Sequence, residues 1–186
     1  MPAILFVRRD SVYKSIAGCD CWDVDRDARL WPGGEAVVAH PPCRTWGNMA
    51  HFAKAPPWEK HLAVLAVDFV RMYGGVLEHP AYSRLWQAQR MPRPGEPPDG
   101  WGGYTILVEQ CWFGHRARKR TWLYIVGVEP QRLPEWTISI KPHDRGLCSS
   151  HAKFMVRLPQ MGRTGREQTP PRLARWLVAI AELAER

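Results

Sequence analysis

The feature that most restricts the fold is a series of short apolar segments, each cut off by proline or glycine. Residues 36–39 run into Pro41-Pro42, and the later segment 76–80 (VLEHP) again ends at a proline. Proline fixes φ and has no N–H to donate, so each strand must stop and turn there. Between the two, apolar residues recur at helical spacing over 58–75 until two glycines end the pattern. This strand–helix–strand order favours an α/β fold with a mainly parallel sheet.

The rest of the chain extends the same pattern. Further strands are predicted at 3–7, 104–114 and 120–128, with a closing amphipathic helix over 170–186. We therefore expect a Rossmann-like sheet with helices on both faces, in a single domain spanning 1–186. Within it, residues 128–168 are rich in basic residues and glycine and predict an irregular region.

Composition limits the partners and the compartment. The formal charge of +8 predicts an acidic partner, such as nucleic acid, nucleotides or an anionic surface. No window approaches about 18 consecutive apolar residues, so no membrane span is predicted, and the first residues lack the charged start of a secretory signal. The five cysteines are odd in number and irregularly spaced, which favours a reduced, cytoplasmic protein over a disulfide framework.

Cys43 is the first candidate functional residue, because the proline turn holds it at the carboxyl end of a predicted strand. Three interpretations stay open for its thiol: a nucleophile, a metal ligand, or a small residue that packs in the core. Cys19, Cys21 and His40 are the other ligands that a zinc site would use. The chain has no Cys-x2-Cys pair and no matching second half, so we predict no metal site.

Four motifs, in order, resemble those of the cytosine-C5 DNA methyltransferases. Pro41-Pro42-Cys43 matches the nucleophile motif of that family, and Glu78 matches the glutamate of its Glu-Asn-Val motif. Residues 116–120 (RARKR) approximate its Gln-x-Arg-x-Arg motif, and residues 169–177 (TPPRLARWL) are similar to its closing motif. The likeness covers residues 36–180.

The resemblance implies roles for these residues. Cys43 would add to C6 of cytosine, which turns C5 into an enamine-like carbon that attacks a one-carbon donor. Arg44 is placed to lower the pKa of the thiol, and Glu78 is expected to have a raised pKa and to donate a proton at N3 of the base. The catalytic set is then Cys43, Glu78, Arg118 and Arg120, with substrate contacts from Pro41, Pro42, Arg44 and Arg116.

The donor-binding half departs from the family. Where the family has a Phe-x-Gly-x-Gly turn for S-adenosylmethionine, this chain has FVRRDSVYKS, and Arg8 and Arg9 suit a phosphate or carboxylate better. Asp23 or Asp25 is the candidate for the acid that binds ribose. Few residues precede Cys43, so we expect a sheet truncated in its N-terminal half. The donor is expected to be S-adenosylmethionine in an altered pocket, or another one-carbon donor.

The leading hypothesis is a compact, phage-type transferase that modifies cytosine at C5 in DNA. One alternative is an enzyme that modifies a cytidine nucleotide and uses a donor other than S-adenosylmethionine. Others are a non-catalytic, methyltransferase-like DNA-binding protein and a basic structural protein.

Overall fold

This computed structural model describes residues 1–47, 50–138, 144–146 and 159–185. The strands are β1 (Ala3–Leu5), β2 (Asp20–Trp22), β3 (Val37–Ala39), β4 (Gly75–Pro80), β5 (Tyr104–Glu109) and β6 (Arg120–Val126). The helices are α1 (Glu59–Tyr73), α2 (Arg84–Ala88), α3 (Arg163–Glu167) and α4 (Pro171–Glu182). Short 3-10 turns lie at Val12–Ser15, Ala28–Leu30, Ala50–Phe52, Gln110–Phe113 and Pro130–Arg132.

The six strands form one mixed sheet in the order β2-β1-β3-β4-β6-β5, which confirms the α/β class. Three pairings are parallel (β1 with β2, β1 with β3, β3 with β4). Two pairings are antiparallel, because β6 runs against both β4 and β5. The link 110–119 is too short for the crossover between parallel strands, which takes about a dozen residues or more. The prediction of a mainly parallel sheet therefore holds for strands β1 to β4 and not for β6, which lies between β4 and the edge strand β5.

Each face of the sheet packs against one long helix. Side chains alternate across a strand, so neighbouring residues of β1, β3 and β4 point to opposite cores. The core on the α1 side includes Ala3, Leu5, Val37, Ala39, Leu77, Ala63, Ala66, Val67 and Val70. The core on the α4 side includes Ile4, Val38, Val76, Leu123, Ile125, Leu173, Leu177 and Ile180.

The strand order reverses at β1, and this reversal positions the candidate site. From β1 the chain goes to β2 on one side and then returns to β3 on the other. The two loops that leave β1 and β3 therefore separate and open a crevice at the carboxyl ends of these strands, where α/β sheets bind ligands. The N–H of His40 donates to the carbonyl of Leu5 at 3.0 Å, which holds the end of β3 against β1.

The predicted irregular region 128–168 is described only in part. It holds the turn Pro130–Arg132 and the whole of α3, whereas residues 139–143 and 147–158 lie outside the described residues. Across the described ranges, no helix has both the length and the apolar character that crossing a bilayer requires.

Candidate active-site cavity

A cavity of about 570 Å³ opens at the carboxyl ends of β1, β3 and β4, and the first residues of both long helices, Glu59 and Pro171, line it. Its wall brings together residues that are far apart in the sequence, among them Arg8, Tyr13, His40, Cys43, Glu78 and Lys119. Pro41, Pro42 and Arg44 also line it, as does Thr169 from the segment that resembles the closing motif. All four motif segments therefore line one cavity. The basic run 116–120 does so through Lys119 and not through the arginines that the resemblance singles out.

Cys43 is held by the turn that follows the two prolines. Its carbonyl accepts hydrogen bonds from the N–H groups of Trp46 (3.0 Å) and Gly47 (3.1 Å). The side chain reaches the surface at the cavity. Desolvation by the surrounding protein raises the pKa of Cys43, the carboxylate of Glu78 raises it further, and Lys119 opposes both. Cys43 is therefore a neutral thiol in the unliganded protein.

Arg44 pairs with Glu59 and not with the thiol of Cys43, whose pKa it was expected to lower. Its guanidinium forms a fork on the carboxylate of Glu59, with Nε 2.6 Å from Oε1 and a second contact from NH2. Glu59 is buried in the first turn of α1. Arg44 thus ties the Cys43 loop to α1, and Lys119 is the cation that lowers the pKa of the thiol.

Glu78 lies near the end of β4 and is 7% exposed. Its Oε2 is 3.0 Å from Nδ1 of His40, and its Oε1 accepts from Nε2 of Gln110 at 2.9 Å and lies 4.0 Å from Nζ of Lys119. Burial alone would raise the pKa of Glu78, but the charge of Lys119 and the hydrogen bond from His40 bring it down to about 2. The carboxylate is therefore ionised, which differs from the raised pKa that the sequence led us to expect.

A hydrogen-bonded chain leads from Glu78 into the core. Nε2 of His40 lies 2.8 Å from the hydroxyl of Tyr13, which is fully buried. Burial raises the pKa of Tyr13 well above its usual value, so the phenol keeps its proton. In the tautomer of His40 that has no hydrogen on Nε2, the phenol donates to this nitrogen. A neutral His40 then carries its hydrogen on Nδ1 and donates it to Glu78. The sequence marks His40 only as a possible zinc ligand and does not mark Tyr13.

The basic run 116–120 divides between two sides of the sheet. Arg118 and Arg120, two residues apart, both reach the carboxylate of Glu109, with Nε of Arg120 at 3.2 Å. Arg116 pairs with Asp144, NH2 to Oδ2 at 2.6 Å, beside a separate cavity of about 490 Å³. Lys119 points the other way, towards Glu78. The alternation of side chains along a strand is the signal that identifies Lys119 as the residue of this run that faces the cavity.

The four predicted donor-binding residues are separated. Arg8 lines the cavity, whereas Arg9 and Asp25 form an exposed pair, NH2 to Oδ1 at 2.7 Å. Asp23 directly follows β2 and is buried, with Nζ of Lys14 2.6 Å from its carboxylate. The hydrogen bond from Lys14 outweighs the effect of burial and lowers the pKa of Asp23 to about 2. As far as the described residues show the cavity wall, only Arg8 of this set belongs to it.

Phe6 stands where the resemblance would place the first residue of a glycine-rich turn. It follows β1 directly, lines the cavity and has a φ of 60°. This left-handed conformation costs a non-glycine residue on the order of 1 kcal/mol. Backbone strain of this kind is concentrated at functional sites.

Among the described residues, no three His, Cys, Asp or Glu side chains are grouped to hold a metal ion. Comparison with known proteins gives no match, whether to a family model, a curated protein or a solved structure.

Proposed function

We propose that this protein is a cytosine-C5 modifying enzyme that acts on DNA through a covalent bond between Cys43 and C6 of the base. One observation carries the proposal: Cys43, Glu78 and Lys119 come from three separate segments and line a single cavity at the reversal of strand order. The parallel pairings of β1 to β4 support the Rossmann-like arrangement that the family resemblance implies.

The charges of the site fit the first step of such a reaction. As the S–C6 bond forms, the S–H bond of Cys43 breaks and the electrons of the C5=C6 bond move into the ring. The thiol proton ends on N3, and the resulting N3–H donates to the ionised carboxylate of Glu78. Lys119 supplies the positive charge that the resemblance assigns to an arginine at the O2 carbonyl.

The second step restores the ring. C5 attacks the carbon of the one-carbon donor, and the bond between that carbon and the donor's leaving group breaks, so that the leaving group departs with the electrons of that bond. C5 then gives its proton to water. The electrons of the C5–H bond re-form C5=C6 while the S–C6 bond breaks, and the thiolate of Cys43 recovers the proton that N3 carried. S-adenosylmethionine and another one-carbon donor both remain candidates for this step. The described cavity wall offers Phe6 and Arg8 where a glycine-rich turn would approach S-adenosylmethionine.

Exchange of the C5 hydrogen tests the adduct without any donor. Adduct formation makes C5 nucleophilic, so in D2O the enzyme replaces the C5 hydrogen of cytosine with deuterium. We expect exchange by the wild type on a cytosine-containing single-stranded oligonucleotide, and none by Cys43→Ala. Cys111→Ala is the matched control, because Cys111 is a free thiol outside the cavity wall. Equal exchange by Cys43→Ala and wild type would contradict the proposal.

A cytidine nucleotide is the second candidate substrate, and the position of Arg8 favours it. Arg8 shares the cavity with Cys43, so a single nucleotide can place its phosphate and its base in the same site. The same exchange experiment with dCMP and with the oligonucleotide separates the two substrates. Faster exchange of dCMP at equal concentration would favour the nucleotide.

A further inference from the structure

One contact across the cavity joins two distant parts of the chain. The carboxylate of Glu167, at the end of α3, contacts NH1 of Arg8, which follows β1. Arg8 also holds Asp10, with Nε 2.8 Å from Oδ1. Glu167 acts electrostatically on Arg44 and Cys43 as well, which places its charge near the mouth of the cavity.

The charges that line the cavity are balanced. Among the described residues, four cations and four carboxylates line the cavity. The cations are Arg8, Arg44, Lys119 and Arg166, and the carboxylates are Asp10, Glu59, Glu78 and Glu167. An anionic ligand therefore competes with these carboxylates for the cations of the wall.

Glu167 is the carboxylate most easily displaced. Glu59 and Glu78 are buried and held by several hydrogen bonds. Asp10 lies two residues from Arg8 on the same turn and forms a fork with it. The side chain of Glu167 is 41% exposed, and the residue ends a helix of only five residues. Its pair with Arg8 is half exposed, and such pairs contribute only about 0–1 kcal/mol.

We propose that Glu167 occupies the position of a ligand phosphate, and that a phosphate displaces it from Arg8 when the ligand enters beside Cys43. The planar fork of an arginine binds phosphate oxygens as it binds a carboxylate. Arg44, next to Cys43, adds a second guanidinium to the same wall, and Ser11 and Thr169 add hydroxyls. The inference rests on the proposed function only for the identity of the base; the phosphate site stands on the charges alone.

Calorimetry with inorganic phosphate, dCMP and deoxycytidine tests this site. We expect Glu167→Gln to bind inorganic phosphate and dCMP more tightly than wild type, by up to about fivefold, which is the strength of one half-exposed ion pair. Arg8→Gln should weaken both, and deoxycytidine, which has no phosphate, should respond to neither change. Glu185→Gln is the matched control: it makes the same change in net charge, and Glu185 pairs with Arg132 rather than with a cavity residue.

A second readout is independent of the ligand. Because Glu167 raises the pKa of Cys43, Glu167→Gln should shift alkylation of Cys43 by iodoacetamide to lower pH, and Glu185→Gln should not. The inference is overturned if Glu167→Gln binds phosphate no more tightly than wild type, or if Glu185→Gln improves binding equally. Repeating the titration with a single-stranded oligonucleotide shows whether the phosphate belongs to a polymer or to a nucleotide. If phosphate binds tightly but the C5 hydrogen does not exchange, the phosphate site is supported and the proposed cytosine chemistry is contradicted.

Discussion

At the scale of single residues, burial and neighbouring charges decide which groups of the site are ionised. Glu78 is ionised although it is buried, because Lys119 and His40 stabilise the carboxylate. Cys43 keeps its proton, because desolvation and Glu78 together outweigh Lys119. In the proposed reaction, the carboxylate would accept a hydrogen bond from the N3–H of the adduct, and the proton for N3 would come from the thiol. Lys119 is the residue that favours the ionised form of both groups.

Lys119→Met should therefore raise the pKa of Cys43. Removal of the cation leaves desolvation and the charge of Glu78 unopposed, so alkylation of Cys43 by iodoacetamide should shift to higher pH. Arg118→Met removes an equal charge one residue away, but Arg118 pairs with Glu109 on the other side of the strand, and we expect no shift. If the two variants shift the alkylation profile equally, Lys119 does not act on the thiol from within the cavity.

At the scale of elements, the pairing of β3 with β4 carries the site, since Cys43 follows one strand and Glu78 lies near the end of the other. Gly75 begins β4 opposite Val37 with a φ of 113°, and a Cβ at Gly75 would lie 2.1 Å from the carbonyl oxygen of Val37. The two backbones can approach this closely only because residue 75 has no side chain.

Gly75→Ala should destabilise the protein by about 2–3 kcal/mol more than Gly34→Ala, as overpacking against a backbone does. Gly34 is the matched control, because its φ is 114° and nothing lies within 4 Å of a Cβ placed there. The φ strain is therefore the same in both variants, and only the contact with Val37 differs. Urea unfolding of the two variants measures the difference. Equal destabilisation would mean that β4 moves away from β3 at little cost.

Elements with strong local signals were predictable from the sequence, and their arrangement was not. The two strands before the proline stops begin one residue from their predicted starts and end where predicted, and the final helix begins one residue later and ends four residues earlier than predicted. In α1, however, Ala63, Ala66, Val67 and Val70 are buried, whereas Met72, one of the larger apolar residues that suggested the helix, is 68% exposed. A helix lies close to a sheet through its small residues, so size and hydrophobicity alone point to the wrong face.

The candidate site was predictable where a motif fixed a strand end, as at Cys43 and Glu78. It was not predictable where side chains compete for partners. Arg44 forms an ion pair with Glu59, and it is the packing of α1 that brings Glu59 near. Glu167, which is distant in the sequence, contacts Arg8 across the cavity. The reversed direction of β6 depends on pairing between strands far apart in the chain, which a local pattern does not report.

At the scale of the whole molecule, two adjacent buried groups make the fold sensitive to acid. His79 is 1% exposed, and burial lowers its pKa to about 4 despite the neighbouring carboxylate of Glu78. The unfolded chain takes up this proton near pH 6.5 and the folded chain resists it until about pH 4, so stability falls as pH decreases through that range. Glu78 extends this loss of stability to lower pH, because its pKa is about 2 in the folded protein and 4.5 in the unfolded chain.

The free energy of unfolding should therefore decrease between pH 6.5 and pH 4 by at most about 3 kcal/mol from His79 alone. Urea titrations at a series of pH values measure this slope. His79→Leu cannot titrate and should remove the loss between pH 6.5 and 4 while keeping the loss below pH 4.5 that belongs to Glu78. A slope that is unchanged in His79→Leu would assign the acid sensitivity to other groups.

The adduct between Cys43 and cytosine is the central claim, and trapping it is the most direct test. In an oligonucleotide with 5-fluorocytosine, C5 carries fluorine, which cannot leave as a proton does, so the S–C6 bond persists after the donor has reacted. Intact-protein mass spectrometry with S-adenosylmethionine as the first donor, followed by peptide mapping, should find the oligonucleotide on Cys43, and Cys43→Ala should give none. An adduct on another cysteine, or C5 modification by Cys43→Ala at the wild-type rate, would contradict the account.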